Sequence, residues 1–286
     1  MSYGYKTTLN LDGFSHDVTV LSYSFDKSID EYGKVTSPVE GGTIFLSLTD
    51  MPKKSILQWG IQYIPLKNGI ISTTGIDTES PVADEEIVFE NAACVNMKLV
   101  YERDHSNYFT TLLTISPQNI CMGRSNCWIN KEWTTEEGDA SKQDAEAAIE
   151  DIFIPRDTAI DGFLYVNGKA YEIQSFETEF VQENDWKGQP QHQVKGGLLL
   201  ITLKQKTDEI LNDWMFRPGV AYDGEIVFAP ISRTENASLK ISFTKGKCIS
   251  FEKMIGANVG IQISLLISPE EIKVNEVKHT NNARKI

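Results

Sequence analysis

The chain has no apolar run near the ~18 residues that a membrane-crossing helix requires. Its opening residues, Met1-Ser2-Tyr3-Gly4-Tyr5-Lys6, hold no apolar signal core. The expectation is a protein made in the cytoplasm, without membrane partners, whose export would use an apparatus that bypasses a signal peptide. Cysteine is scarce, with four in 286 residues. Cys94 and Cys248 sit inside apolar runs and read as buried thiols of a reducing compartment. Cys121 and Cys127 have a spacing that suits no standard zinc motif. Histidine is equally scarce and scattered. His16 follows a turn, His192 lies in a polar loop and His279 in the C-terminal segment; these and His105 read as surface residues. No nucleophile elbow, zinc-protease helix, phosphate loop or dinucleotide fingerprint occurs. No catalytic residue, metal ligand or cofactor is therefore assigned. Bases are outnumbered, 27 to 40, and the net charge of −13 argues against nucleic acid as a partner.

What the chain does have is itself, twice. Gly33, Val39, Gly41, Gly42, Ile44, Leu46, Leu48 and Trp59 recur as Gly188, Val194, Gly196, Gly197, Leu199, Ile201, Leu203 and Trp214, all 155 residues later. Tyr23, Ser24 and Phe25 recur more loosely near Glu177, Thr178 and Phe180. The expected organisation is a first domain at 1–133, an acidic linker at 134–158, a second domain at 159–278 and a basic tail at 279–286. Each domain is long enough to bury a core. The linker carries eight acids against two bases, and its alanines allow either a short helix or a flexible tether.

Each copy reads as short strands around one helix. Asp12-Gly13 and Asn167-Gly168 are hairpin turns, because tight turns need positive φ. Ile44, Leu46 and Leu48, like Leu199, Ile201 and Leu203, alternate with polar or outward positions as half-buried strands do. The doubled glycines lead into strands rather than helices, so they read as bulges and not as a phosphate cradle. Helices are expected near 55–63 and 207–216, the second capped by Thr207, with Trp59 and Trp214 as core residues. The strands Phe109–Ile115 and Ile261–Ile267 should stop at Ser116-Pro117 and Ser268-Pro269, where proline removes a ladder donor. The fold class is mainly β, two tandem β-barrels with one short helix each.

The segment from Asp30 to Ile44, with Asp30, Gly33, Lys34, Ser37, Val39, Gly41 and Gly42, is specific. With Ser22-Tyr23-Ser24-Phe25, the hairpin Leu9–Gly13 and Trp59, it resembles the Hcp tube proteins of type VI secretion, especially the Bacteroidetes TssD branch. The resemblance covers about residues 5–130 and 160–277. Copy one has Val35 where the family pattern has proline; copy two keeps Pro190 but has Gln189 at the basic position. The resemblance implies Hcp-like barrels that assemble six to a ring, rings that stack into a tube, a loop that reaches a neighbour, and a lumen that can hold effectors. Candidate inter-subunit residues are then Asp30, Tyr32, Gly33, Lys34, Val39, Gly41 and Gly42 in copy one. In copy two they are Trp186, Gly188, Pro190, Val194, Gly196 and Gly197.

If one barrel is a sixth of a ring, a tandem chain is a third. Three chains would make a pseudo-hexamer, since heterologous contacts close into rings. Spike, sheath and other tube components, and effectors, are the further expected partners. A threefold ring also suits a junction with a trimeric spike. The competing reading is a monomeric two-barrel binding module for a sugar or peptide, with Tyr32 and Trp186 as the exposed aromatics.

Overall fold

The fold follows from two kinds of residue placement, alternating apolar positions and glycines at positive φ. The computed structural model describes residues 5–37, 39–49, 51–63, 65–75, 85–103, 108–123, 128–133, 159–231, 238–257 and 260–280. The expected linker lies outside them. The first repeat comprises β1 (Tyr5–Leu11), β2 (Phe14–Asp26), β3 (Glu40–Leu48), α1 (Lys54–Ile61), β4 (Lys67–Gly75), β5 (Glu85–Glu102), β6 (Tyr108–Met122) and β7 (Trp128–Asn130). The second comprises β8 (Ile160–Val166), β9 (Lys169–Val181), β10 (Lys195–Leu203), α2 (Glu209–Phe216), β11 (Tyr222–Pro230), β12 (Leu239–Gly256), β13 (Gly260–Ser268), β14 (Glu271–Val274) and β15 (Val277–Thr280).

All named pairings are antiparallel. In the first repeat they close a ring of strands, β1-β2-β3-β6-β5-β4 and back to β1. The second repeat closes the same ring as β8-β9-β10-β13-β12-β11. The rings start with hairpins whose turn residues, Asp12 and Gly13 or Asn167 and Gly168, all have positive φ. That is the type I′ geometry that matches strand twist. Leu9, Leu11, Ile44, Leu46 and Leu48 point inward with their counterparts Leu164, Val166, Leu199, Ile201 and Leu203, none more than 2% exposed. A one-residue slip would turn all of them to solvent.

Each helix lies against the strand that corresponds to β5. Trp59 Nε1 donates to the Ala92 carbonyl at 3.0 Å, and its ring stacks on Phe89. Trp214 Nε1 donates to the Gly246 carbonyl at 2.8 Å and stacks on Phe243. Both indoles are buried and satisfied, as buried tryptophans usually are. The doubled glycines sit at positive φ next to register shifts in β2–β3 and β9–β10. A Cβ at Gly41 would lie 2.8 Å from the Ser24 carbonyl oxygen, and one at Gly196 only 2.1 Å from that of Glu179. The bulge therefore needs glycine for space as well as for φ.

The structure corrects several expectations. Asp208, not Thr207, caps α2, its Oδ1 accepting from Leu211 N at 3.0 Å. β6 does not stop at Pro117 but runs on to Met122, with Pro117 opposite Ala92; in the second repeat the strand does break, leaving β13 and β14 either side of Pro269. His16 is buried, because it lies opposite the core residue Leu9 and on the same side of β2 as buried Val18. His279 is not in a solvated tail: it lies in β15, buried, with its ring edge-on to Phe180 at 5.4 Å.

Candidate functional site

The two repeats are joined edge to edge. Residues 96–102 of β5 pair antiparallel with residues 175–181 of β9, from Asn96 opposite Val181 to Glu102 opposite Ser175. The strands thus run on from one repeat into the other as one sheet. Main-chain bonds extend the ladder at both ends, Gln182 N to the Val95 carbonyl at 2.9 Å and Arg103 N to the Gln174 carbonyl at 3.0 Å.

On the inner face Met97, Leu99 and Tyr101 meet Phe180, Thr178 and Phe176, and none of the six is more than 1% exposed. Tyr101 is the hinge of an aromatic cluster. Its ring lies 4.9 Å from that of Phe228 in β11, which also contacts Phe109 and Phe176 at 5.2 Å each. Such pairs add to plain area burial. Tyr101 Oη donates to the Ile160 carbonyl at 2.9 Å, and burial pushes its hydroxyl up to about 12. Gly162 makes room: a Cβ there would sit 2.7 Å from Phe228 and 3.1 Å from Tyr101.

The outer face is charged. Lys98 Nζ pairs with Glu177 at 2.7 Å, and Asn96 Nδ2 donates to Glu179 at 2.6 Å. Arg103 holds Asp161 at 3.6 Å and pairs with Glu172, which raises the guanidinium pKa further. Lys54 of α1 reaches Glu276 at 3.1 Å. Beside the junction a shallow depression of about 320 Å³ is lined by Glu177, Glu179, Val181, Leu198, Leu200 and Leu266, among others.

The two long loops are built alike. Asp30 Oδ1 accepts from Tyr32 N and Lys34 N at 3.0 and 2.8 Å; Asp185 Oδ1 accepts from Lys187 N and Gln189 N at 2.9 Å each. Isolated bridges Ile29–Val35 and Asn184–Pro190 close the same turn. Gly33 and Gly188 supply its positive φ. The carboxylate of Asp30 is thus committed to its own loop, an Asx arrangement. The surroundings differ. The second loop is docked on the first repeat: Trp133 Nε1 donates to the Lys187 carbonyl at 3.2 Å, and Lys187 Nζ to the Glu132 carbonyl at 3.1 Å. A Cβ on Gly188 would lie 2.3 Å from Ser116 Oγ and 3.4 Å from Lys131 Nζ. Gly188, Val194 and Gly197 are buried, Pro190 and Gly196 half-buried, while Trp186 remains 79% exposed. Residues 31–36 of the first loop, with Tyr32, Gly33 and Lys34, are exposed; Tyr32 is 86% so. Val39 is half-buried, Gly41 is exposed and Gly42 is buried against Phe25 and Lys131.

Lys131 lies where the loops converge on the first repeat. Its Nζ donates to Ser116 Oγ at 3.2 Å and lies 3.5 Å from the Gly42 carbonyl oxygen. Burial pulls its pKa down to about 8. Tyr101, Arg103, Gly162 and Phe228 do not emerge from a search for positions kept in both repeats, because the repeats differ there: Ile255 and Ala257 replace Tyr101 and Arg103. The informative signal was the difference. Burial raises the Cys94 thiol to about 12 and the Cys248 thiol to about 11. Among the described residues, no three His, Cys, Asp or Glu side chains gather as a metal site would, and no helix is long and apolar enough to cross a membrane.

The sequence matches the family model for hemolysin coregulated protein Hcp (TssD) over residues 3–134 and again over 158–282. The chain belongs to the Hcp (TssD) family. It carries two Hcp units in tandem, and the family gives it a tube-protein role in type VI secretion. Among solved structures, Hcp1 from Flavobacterium johnsoniae is similar at 21% identity and a TM-score of 0.38, over 44% of this chain and 98% of its own. No curated protein matches the sequence.

Proposed function

We propose that this tandem Hcp protein is a ring component of a type VI secretion apparatus, three copies closing a pseudo-hexameric ring. The observation that carries the reading is the β5–β9 junction. It sets two Hcp units side by side through main-chain pairing, apolar contacts and ion pairs, which is how two neighbours of a ring would be held. Fusion reduces sixfold symmetry to threefold, so the ring suits a position between a hexameric tube and a trimeric spike. It also leaves the repeats free to differ in what they bind, with sheath components, other tube rings or effector cargo as partners. The chain would be made in the cytoplasm and leave it, if it does, through the apparatus.

Light scattering and negative-stain microscopy test this directly. The expected particle is a ring of about 96 kDa, three times the 32.1 kDa chain. A strict monomer at high concentration overturns the proposal.

The exposure of Tyr32 and Trp186 supports a second reading, a monomeric module that stacks a sugar or peptide on these rings. Tyr32→Ala separates the two, because the loop of Trp186 is docked within its own chain whereas that of Tyr32 is exposed. Loss of assembly in size-exclusion chromatography favours the ring, and an unchanged monomer favours the module.

A further inference from the structure

The two helices begin differently, although they hold the same place in their repeats. At α2 the chain provides its own anion. The Asp208 side chain caps the helix, Oδ1 accepting from Leu211 N at 3.0 Å. Its Oδ2 accepts from Tyr171 Oη at 2.9 Å and from Lys169 Nζ. A first-turn N–H, a hydroxyl and an ammonium thus converge on one carboxylate at the positive end of the helix dipole.

That carboxylate has no counterpart in the first repeat. At the 155-residue offset Asp208 becomes Lys53, Glu209 becomes Lys54, Leu211 becomes Ile56 and Tyr171 becomes His16. Lys53 makes no side-chain cap bond, and the first turn of α1 holds no acid. Positive charge at this end of a helix opposes the dipole. Lys54 is committed to Glu276 at 3.1 Å. Lys53 Nζ lies 4.5 Å from the centre of the Phe14 ring and pairs with no carboxylate among the described residues. Asp12, whose charge reaches His16, is itself held by Lys67.

Two polar atoms are left over at the same place. His16 Nε2 has no hydrogen-bond partner, in a residue only 4% exposed. His16 stands opposite Leu9 as Tyr171 stands opposite Leu164. Its ring therefore approaches the start of α1 as the Tyr171 hydroxyl approaches that of α2, and it feels the charge of Lys53. Ser55, in the first turn of α1, has a buried hydroxyl that is also without a partner. Buried polar atoms left unpaired cost free energy. Here both sit beside an unpaired ammonium at an uncapped helix start, where the sister repeat places a carboxylate.

We propose that the start of α1 binds a carboxylate from outside the chain, in the position that the Asp208 carboxylate holds at α2. One oxygen accepts from Ile56 N and the other from His16 Nε2–H, with the Ser55 hydroxyl and the Lys53 ammonium as further donors. The carboxylate comes from a free small acid or from an acidic side chain of a partner protein; the recognition chemistry is the same. Binding pairs both orphaned atoms, neutralises Lys53 and caps the helix. The second repeat has no such capacity, because its own side chain fills the place. The ligand therefore tells the two repeats apart. The inference is independent of how whole chains assemble.

Anion titration of the full chain at pH 7 tests it, with sodium acetate and a blocked aspartyl-glycine peptide as probes and sodium chloride at equal ionic strength as the reference. Acetate should raise Tm beyond chloride with a millimolar Kd, about what so small a ligand can reach. The imidazole resonances of His16, assigned by their loss in His16→Leu, should shift in step. The His16 pKa, about 4 without the ligand, should climb by ~1 or more, since a carboxylate against the ring favours its charged form over the opposition of Lys53. Lys53→Asp places the chain's own carboxylate at the cap. It should raise the Tm in chloride by ~2 °C and abolish the response to either probe. Lys53→Asn, which caps without adding a charge, should abolish it too. A response to acetate assigns the site to a free carboxylate. A response to the peptide alone assigns it to an acidic segment of a partner. Tm and His16 resonances that answer both probes no differently from chloride overturn the proposal, and so does a response that survives in both Lys53 variants.

Discussion

His16 and Lys131 are two side chains whose charged form burial disfavours, and each makes stability depend on pH in its own window. Burial lowers the His16 pKa to about 4 from an ordinary 6.5, with Lys53 assisting and Asp12 opposing. Its Nε2 has no hydrogen-bond partner, so the neutral ring is the form that the site accepts. The unfolded chain takes up this proton first as the pH falls. Stability is therefore lost between about pH 6.5 and 4. His16→Leu should flatten that part of a urea-denaturation pH series. An unchanged slope would mean that the histidine is solvated in the folded protein. Lys131 acts in the alkaline range. Its folded pKa, lowered to about 8 from 10.5 by burial, lies below the unfolded value. The unfolded state holds more protons between these values, so stability gains as the pH rises through the window. The stability of the wild type relative to Lys131→Met should rise from pH 8 to 10.5. A constant difference would contradict a desolvated ammonium.

Among the elements, strand starts and helices were the most legible in sequence, because local chemistry decides them. Asp12-Gly13 and Asn167-Gly168 need positive φ whatever surrounds them, and the doubled glycines need it again at the bulges. Helix ends were less legible: Thr207 and Asp208 are both fair caps, and only the bond from Leu211 N chooses between them. Pro117 misled for a tertiary reason. A proline ends pairing only where its missing N–H faces a neighbour, and β6 pairs through Pro117 while its equivalent Pro269 separates two strands. The bulge glycines give the sharpest test. Gly196→Ala puts a Cβ 2.1 Å from a main-chain oxygen, which no rotamer can relieve, whereas at Gly41 the clash is 2.8 Å. Both also carry positive φ. The substitution at Gly196 should cost more than that at Gly41, both above the ~1 kcal/mol of simple φ strain. Equal or smaller losses in chemical denaturation would show that the bulge can shift.

At the scale of the whole molecule, the sequence repeat implies two units but carries no signal of how they meet. The residues that join them are those where the repeats differ. Tyr101, Arg103 and Gly162 have Ile255, Ala257 and Thr7 as counterparts, so a search for shared positions passes over them. Lys98 and Glu177, far apart in sequence, carry no local signal of pairing at all. The candidate loop was legible as a loop from Asp30, Gly33 and the doubled glycines. Which of its two copies would be covered within one chain was not, because that depends on the β5–β9 pairing.

That pairing has a thermodynamic consequence. Apart from a small cluster of Ala93, Val95 and Trp133, one continuous apolar cluster runs through both repeats, from Leu9 to Val277, and Phe228 sits at its waist, touching Tyr101 and Phe109 of the first repeat and Phe176 of the second. Two units that share apolar contacts, a strand ladder and ion pairs should unfold together, since neither keeps its exposed edge without cost. Calorimetry of the wild type is expected to show one cooperative transition. Phe228→Ala removes the ring that contacts both sides and should cost ~3–5 kcal/mol. In a chain of this size each kcal/mol shifts Tm by ~2 °C, so the fall should be ~6–10 °C. Because the lost contacts join the repeats, the transition should also broaden or split, whereas Trp59→Phe, which alters packing inside one repeat, should lower Tm without splitting it. A wild type that already melts in two steps would mean that the repeats are thermodynamically independent despite their shared sheet. Splitting in Trp59→Phe but not in Phe228→Ala would place the coupling elsewhere than in the aromatic cluster.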